Sequence, residues 1–572
     1  SRSSWQDYNK DYLSRGGGIY SRNAKEIALS DDAVALLGLD GEKFTPQQIM
    51  TAILKLNTDL LWFGGIGTYI RASTETDDQA GDRVNDPIRI TGAALRCKVV
   101  GEGANLGMTQ KGRIEAAQRG VRLNTDAIDN SAGVNTSDVE VNIKIAVTPA
   151  LHDGRLSVEA RDRLLVEMTD EVARVVLRNN YQQTLALSLA QRRGLEDLGF
   201  QQRLMQTLEG RGLLDRGVEY LPDDMEIGER RKRGQGLTRP ELSVLLAYAK
   251  LTLYSDLLDS SVPDDPYLGR ELARYFPKEL VERYPDALEQ HRLRREIIST
   301  QLTNSMINRG GPSFAVRIGD QTGAPAAAIA AAFFVVRNSY DMISLNAAID
   351  GLDNRITGKL QLELYAAVED LLLDRIVWFV RNVDISKGLA DVVEHYRGAI
   401  EALSAALSRV LPEGAEKARE ARTAELANAG VPEELAKRLA SLPALAAAPD
   451  IVSVADRTER PVPEVAATYF AAGAFFQLDR IASAARAIQV TDYFDRLALD
   501  RALDSIGEAE RRITAQMSRN GISGPEAVDA WVEARAGEVE RIRAAVHGIA
   551  GSGLTLSKLS VVASLLGDLV KQ

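Results

Sequence analysis

Three places in the chain end a short apolar run in residues that could meet a ligand with backbone or amide groups. Asp59–Phe63 (DLLWF) leads into Gly64, Gly65, Ile66 and Gly67. Arg96–Val100 (RCKVV) leads into Gly101, Glu102, Gly103, Ala104 and Asn105. Gly120–Leu123 leads into Asn124, Thr125 and Asp126, with Asn130, Ser131, Ala132 and Gly133 close behind. An asparagine side chain carries both a donor and an acceptor, which suits a carboxamide or a ribose. Glycine lets the backbone approach a ligand closely. On composition and spacing alone, the clusters read either as tight turns or as one wall of a nucleotide pocket. Other chemistries lack their residues. The histidines His152, His291, His395 and His547 are far apart, with no cysteine or histidine cluster to hold a metal. There is no Gly-x-Ser-x-Gly elbow. Cys97, the single cysteine, sits in an apolar run, reads as core, and excludes an internal disulfide. Asp77–Asp78, Asp223–Asp224 and Arg230–Arg233 read as solvent-facing charge.

The elements that must position these clusters follow from the same pattern. Apolar runs of four to eight residues ended by Gly or Asn read as buried strands, and unbroken apolarity suits a parallel sheet covered on both faces. In such sheets ligands bind outside the carboxyl ends of the strands, where all three clusters fall. Thr109–Arg119 has helical spacing between the second and third runs, which makes a short strand–helix–strand unit. Residues 1–150 hold 16 of the 45 glycines, and beyond them the pattern changes to helices. Val158–Asn179, Tyr181–Glu196, Thr238–Leu258, Leu360–Asn382, Leu389–Leu411 and Thr468–Ile488 place apolar residues at helical spacing. Thr238-Arg239-Pro240-Glu241 is a helix start with a cap, a first-turn proline and a returning glutamate. Ser137-Asp138-Val139-Glu140 reads as a further capping box. Leu221–Gly236 reads as a mobile connection, with further breaks at Asn308–Pro325 and Leu442–Pro463. The organisation expected is α/β followed by all-α: 1–150, then a helical segment 151–235 packing on the first part, then an all-α domain 236–572.

Bulk properties narrow the function classes. The 572 residues carry 69 Lys plus Arg against 80 Asp plus Glu, a formal net charge of −11. That balance argues against nucleic acid and anionic membranes, which need a positive field. The longest apolar run, Ala324–Val336, is 13 residues, short of the roughly 20 that a membrane span requires. A cytoplasmic setting fits both facts and the scarcity of cysteine. The alanine-rich helices Ala324–Val336 and Ala466–Phe476 suit close packing, on the first part of the chain or on other subunits of a homo-oligomer.

The strings themselves add a family. Lys98–Gly107 (KVVGEGANLG) followed by Asp126–Ile143 (DAIDNSAGVNTSDVEVNI) resembles the dehydrogenases of glutamate, leucine, phenylalanine and valine. Those enzymes have a strand ending in EGAN and then an N-A-G-G-V-x-x-S segment that opens a long helix. With DLLWFGGIGTY and a long helical tail, the chain looks most like the large NAD-specific glutamate dehydrogenases of bacteria. The resemblance implies a partial Rossmann-like parallel sheet that binds NAD. It implies that Asn105 contacts the nicotinamide ribose and that Asn130 hydrogen-bonds the nicotinamide carboxamide. Gly64 and Gly65 would form a loop close to the cofactor, and Ser137 would help bind the substrate side-chain carboxylate. The reaction implied is oxidative deamination of L-glutamate to 2-oxoglutarate and ammonium. The chain departs from the smaller enzymes at Ser131-Ala132, ahead of Gly133, and at Leu106-Gly107-Met108-Thr109 after EGAN.

The family's activating lysine, its proton-transferring aspartate and its Gly-x-Gly phosphate loop lie upstream of the matching region. Gly16-Gly17-Gly18 does not supply that loop, because Ser1–Arg15 is polar and aromatic rather than an apolar strand. The chain alone is therefore expected to be catalytically silent, with no catalytic residue of its own. The alternative reading is a helical regulatory or oligomerisation module in which the α/β part is incidental.

Overall fold

The computed structural model describes residues 4–385, 388–488, 490 and 492–570. The chain folds as two compact units, one from Ser1–Leu251 with Glu271–Ile297 and the other from Thr252–Arg270 with Ile298–Gln572.

The first unit opens with β1 (Ile27–Ala28), antiparallel to β2 (Lys43–Phe44). Helix α1 (Asp31–Leu37) is capped by Ser30. Helix α2 (Pro46–Leu54) starts on a complete capping box between Thr45 and Gln48. Then come β3 (Leu60–Phe63), β4 (Ile70–Arg71), α3 (Asp77–Ala80), β5 (Ile90–Thr91), β6 (Val99–Glu102) and α4 (Gln110–Gln118). Strands β3 and β6 run parallel, from Leu60 opposite Val99 to Phe63 opposite Glu102. Strands β4 and β5 form a second parallel pair. The third expected strand contributes one parallel bridge, Arg122 to Val99, closed by hydrogen bonds from Val100 N to Arg122 O and from Arg122 N to Lys98 O. Gly120, at φ +94°, turns the chain out of α4 two residues earlier and leaves only a short run to pair. Phe63, Ile70, Ile90, Cys97, Val100, Met108, Ala116 and Leu123 close one core between these elements. Cys97 lies just ahead of β6, and burial pushes its thiol above the ordinary range.

From here the unit is helical: α5 (Asp126–Asp129), α6 (Ser131–His152), α7 (Val158–Glu167), α8 (Thr169–Arg193), α9 (Leu195–Gly210), α10 (Asp224–Lys232) and α11 (Arg239–Leu258). Val139, Ile143, Ala146, Val147 and Ala150 form the buried stripe of α6, which packs on α8. Several expectations change. The helix expected over Val158–Asn179 breaks at Met168, and α8 runs unbroken through Asn180 to Arg193. Leu221–Gly236 holds a helix, not an open connection. Asp223 caps α10 by accepting the Glu226 N–H, Glu226 pairs with Arg230 one turn on, and Gly234 at φ +70° ends it. Arg230 is not solvated either: it is buried against Glu241, whose carboxylate also accepts the Thr238 N–H at the start of α11. Only Ile227 of this helix is a buried apolar residue, so hydrophobic periodicity could not reveal it.

The second unit is all helix among its described residues. Ala326–Ser339 is apolar on every side, with Ile329 and the run from Ala332 to Val336 buried against Gly358–Asn382 and Leu389–Val410. Its alanines therefore serve the unit's own core. Asn308–Pro325 is not an open break: it carries the helix Phe314–Thr322 between the end of Arg294–Gly310 and the start of Ala326–Ser339, and Phe314 lies so close over Gly310 that a Cβ there would sit 2.2 Å from its ring. Leu442–Pro463 carries the helix Ala448–Thr458, and Thr468–Ile488 is broken at Gln477, a left-handed residue at φ +57°. Among the described residues no single helix is long and apolar enough to cross a membrane. None gathers three or more His, Cys, Asp or Glu as a metal site requires.

A polar cluster lies within this unit, with Asp450, Trp378 and Tyr469 buried and Glu510 and Arg511 partly buried. Asp450 accepts from Trp378 Nε1 at 2.7 Å and pairs with Arg511 at 3.1 Å. Nearby, Tyr469 donates to Glu510 at 3.0 Å, and burial pushes the Glu510 carboxyl up to about 8. The folded carboxyl keeps its proton well above the ordinary value of 4.5 at which an unfolded one loses it. Its stabilising contribution is complete below pH 4.5, drains away as pH rises, and is gone above about 8. Denaturation of Glu510→Gln across this range should show a shallower pH slope, with a gain at pH 8 of up to about 5 kcal/mol over wild type. An unchanged slope would clear Glu510 of responsibility.

Candidate functional site

The carboxyl ends of β3 and β6 lie side by side, because their parallel register places Phe63 opposite Glu102. Gly64 and Gly65 therefore leave β3 beside the turn that carries Gly103, Ala104 and Asn105. Both glycines are exposed, and a Cβ on Gly65 would meet nothing within 4 Å. The left-handed backbone of this loop is at Gly67, φ +146°. Trp62 lies across the neighbouring strand: a Cβ on Gly101 or Gly103 would come within 2.6 or 2.2 Å of its indole. An aromatic ring of the protein itself therefore crowds both glycines. The indole stays 59% exposed, on the same open face as Leu60 and Val99.

Asn105 and Asn130, 25 residues apart, meet. Asn130 Nδ2 donates to Asn105 Oδ1 at 2.9 Å. Asn130 is the residue at the start of the 22-residue α6, yet its side chain makes no capping bond and turns to Asn105 instead. The other half of each amide, Asn105 Nδ2 and Asn130 Oδ1, makes no hydrogen bond among the described residues. Ser137 sits inside α6, seven residues on. It does not cap a helix: its hydroxyl donates to the Val134 carbonyl at 2.7 Å. Seven residues are two helical turns, so Asn130, Val134 and Ser137 share the stripe opposite buried Val139 and Ile143.

The residues that hold this arrangement escaped the sequence reading. Glu102, of the EGAN string, is a buried structural carboxylate: Arg113 of α4 grips it with Nε at 2.6 Å and Nη2 at 2.8 Å. Burial presses the Glu102 carboxyl upward against the pull of that guanidinium. Arg113 also reaches Asp126 at 3.2 Å, and the other Asp126 oxygen accepts the Leu106 N–H at 2.8 Å. Leu106 is thereby fixed at φ +64°, a conformation that costs a side-chain-bearing residue energy. Asp129 accepts the Glu102 N–H at 3.0 Å and Asn124 Nδ2 at 2.7 Å. From α8, Asn180 donates to the Ile128 carbonyl and to Ser131 Oγ. The available signal was the Asp126, Asp129 pair, two acceptors one helical turn apart beside a strand end full of backbone donors.

The Glu102–Arg113 pair yields a stability test. Arg113→Met leaves an unpaired buried carboxylate and should cost about 3–5 kcal/mol in urea denaturation. Replacing both partners by methionine should recover most of that loss. A double variant as unstable as the single one would show that the pair's worth is not electrostatic.

Comparison with known proteins bears on the whole chain. A family model described as bacterial NAD-glutamate dehydrogenase, catalytic domain, matches residues 1–190. One described as glutamate dehydrogenase, C-terminal, matches residues 234–568. The NAD-specific glutamate dehydrogenase of Halomonas elongata is 40% identical over 555 residues, covering 96% of this chain and 34% of that protein. That of Pseudomonas aeruginosa is 40% identical over 575 residues, covering 100% and 35%. The enzyme of that name from Mycobacterium tuberculosis is 35% identical over 580 residues, covering 98% and 35%. The chain thus spans about a third of the length of the curated relatives it matches. With both models matched in order and these identities sustained end to end, the chain belongs to the large bacterial NAD-specific glutamate dehydrogenase family.

Proposed function

We propose that the strand-end cluster is part of the NAD site of an enzyme that oxidatively deaminates L-glutamate to 2-oxoglutarate and ammonium, and that the parallel strands belong to a Rossmann-like cofactor domain. The observation that carries this is the Asn130–Asn105 hydrogen bond. It joins a strand end to a helix start, where the first-turn N–H groups of α6 add a favourable partial charge for electron-rich ligand atoms. The residues fit the cofactor: an amide donor and an amide acceptor remain for a carboxamide and a ribose, and Gly64 and Gly65 leave room beside them.

In this reading Asn130 grips the carboxamide and sets which ring face meets the substrate, while Asn105 holds the adjoining ribose. Ser137, on the same stripe of α6, hydrogen-bonds the substrate side-chain carboxylate. When bound, NAD would supply the hydride acceptor for the substrate Cα–H. Glu102, Arg113, Asp126 and Asp129 touch neither ligand; they keep the two amides at a fixed separation.

Two outcomes are expected. In the full natural protein, Asn130→Ala should lower kcat/KM for NAD by roughly 100-fold, with a smaller effect on the KM for glutamate. Ser137→Ala should do the reverse, raising the KM for glutamate while NADH affinity, followed by NADH fluorescence, stays near wild type. Wild-type kinetics in both would overturn the assignment. Residues 1–572, purified alone, should give no glutamate-dependent NADH formation; a measurable rate would show that they hold a complete catalytic set.

A further inference from the structure

Arg239, the first residue of α11, makes no ion pair among the described residues, although it is a mostly enclosed guanidinium. Its Nε donates to Asn124 Oδ1 at 2.9 Å. Nη1 donates to Ser188 Oγ at 3.0 Å and to Gln191 Oε1 at 3.4 Å, and Nη2 to the Thr184 carbonyl at 3.4 Å, all on α8. Asp129, on the far side of Asn124, attracts it, and Arg122 repels it. Burial pushes the guanidinium below its ordinary value, and Asp129 opposes that.

The chain of bonds has a fixed direction. A guanidinium can only donate, so Asn124 must present its oxygen to Arg239. Its Nδ2 is then left to face Asp129, where it donates to Oδ1 at 2.7 Å. The remaining Asp129 oxygen accepts the Glu102 N–H, three residues before Asn105. Asp129 is itself the residue before Asn130. Arg239 also lies within the span of the C-terminal family model, whereas the amides lie in that of the catalytic domain.

We infer that Arg239 is a positioning residue for the nicotinamide end of the cofactor site, orienting Asn124, and through it Asp129, so that Asn105 and Asn130 stand at their working separation. The inference rests on the reading that those two amides hold NAD.

The test uses the full natural protein with Arg239→Gln, Arg239→Lys, Asn130→Ala and the R239Q/N130A double variant. Measured are NADH affinity by fluorescence, kcat, the KM for NAD and for glutamate, and the melting temperature without cofactor. R239Q should weaken NADH binding and lower kcat by about tenfold, leaving the KM for glutamate within about twofold. R239K should recover part of this, because it keeps the charge but not the planar fork. In the N130A background R239Q should add less than about twofold, since both act on one grip. A lowered melting temperature with unchanged NADH affinity and kcat, or effects that multiply fully in the double variant, would overturn the assignment of Arg239. If N130A itself leaves NADH affinity and kcat unchanged, the cofactor reading falls and this inference with it. If N130A is damaging and R239Q is not, only the role of Arg239 fails.

Discussion

The first unit depends on two carboxylates that accept backbone N–H groups from a turn that is not their own. Asp129 takes the Glu102 N–H and Asp126 takes the Leu106 N–H, on either side of Asn105. Charge-assisted bonds of this kind are shorter and stronger than those between neutral groups. They substitute here for the strand pairing that the third apolar run does not supply. The sheet is too small to hold its own ends rigid, so the rigidity comes from α5, and α5 is held in turn by Arg113 from one side and Asn180 from the other.

The second unit solves a related problem differently. Its helices bury long apolar faces, yet they also enclose Asp450, Trp378 and Tyr469, which bond to the partly buried Arg511 and Glu510. Each buried polar group restricts the ways its helices can slide, because only one register satisfies it. Helices this rich in alanine could otherwise pack in several registers of similar energy. The cost of desolvating those groups is set against a single arrangement, a role for buried charge that is one of specificity more than stability.

How much of this was legible in the sequence depends on the signal each feature leaves. Long helices with a clear apolar stripe, such as Gly358–Asn382 and Leu389–Val410, fall almost where periodicity places them. Asp224–Lys232 escaped because ion pairs and a cap hold it rather than a buried stripe. The break at Gln477 left no trace, since a glutamine in the left-handed region looks like any other glutamine. Asn105 and Asn130 stood out as amides at strand ends, and they do meet. The aspartates that bring them together were easier to miss, because their only mark is two carboxylates one turn apart beside a strand end, and the N–H groups they accept are distant in sequence. Ser137 misled: a serine followed by an acidic residue three positions later is a capping motif only where a helix begins, and α6 begins six residues earlier.

The indole of Trp62 resting on Gly101 and Gly103 binds three positions into one unit of sequence drift. Neither glycine can acquire a side chain while the large ring lies over it, since the new Cβ would overlap the indole. A prior exchange of Trp62 for a smaller residue would lift that restriction at both glycines together. The two glycines and the tryptophan thus constrain one another, which is a reason for glycine in the EGAN string that has nothing to do with a ligand.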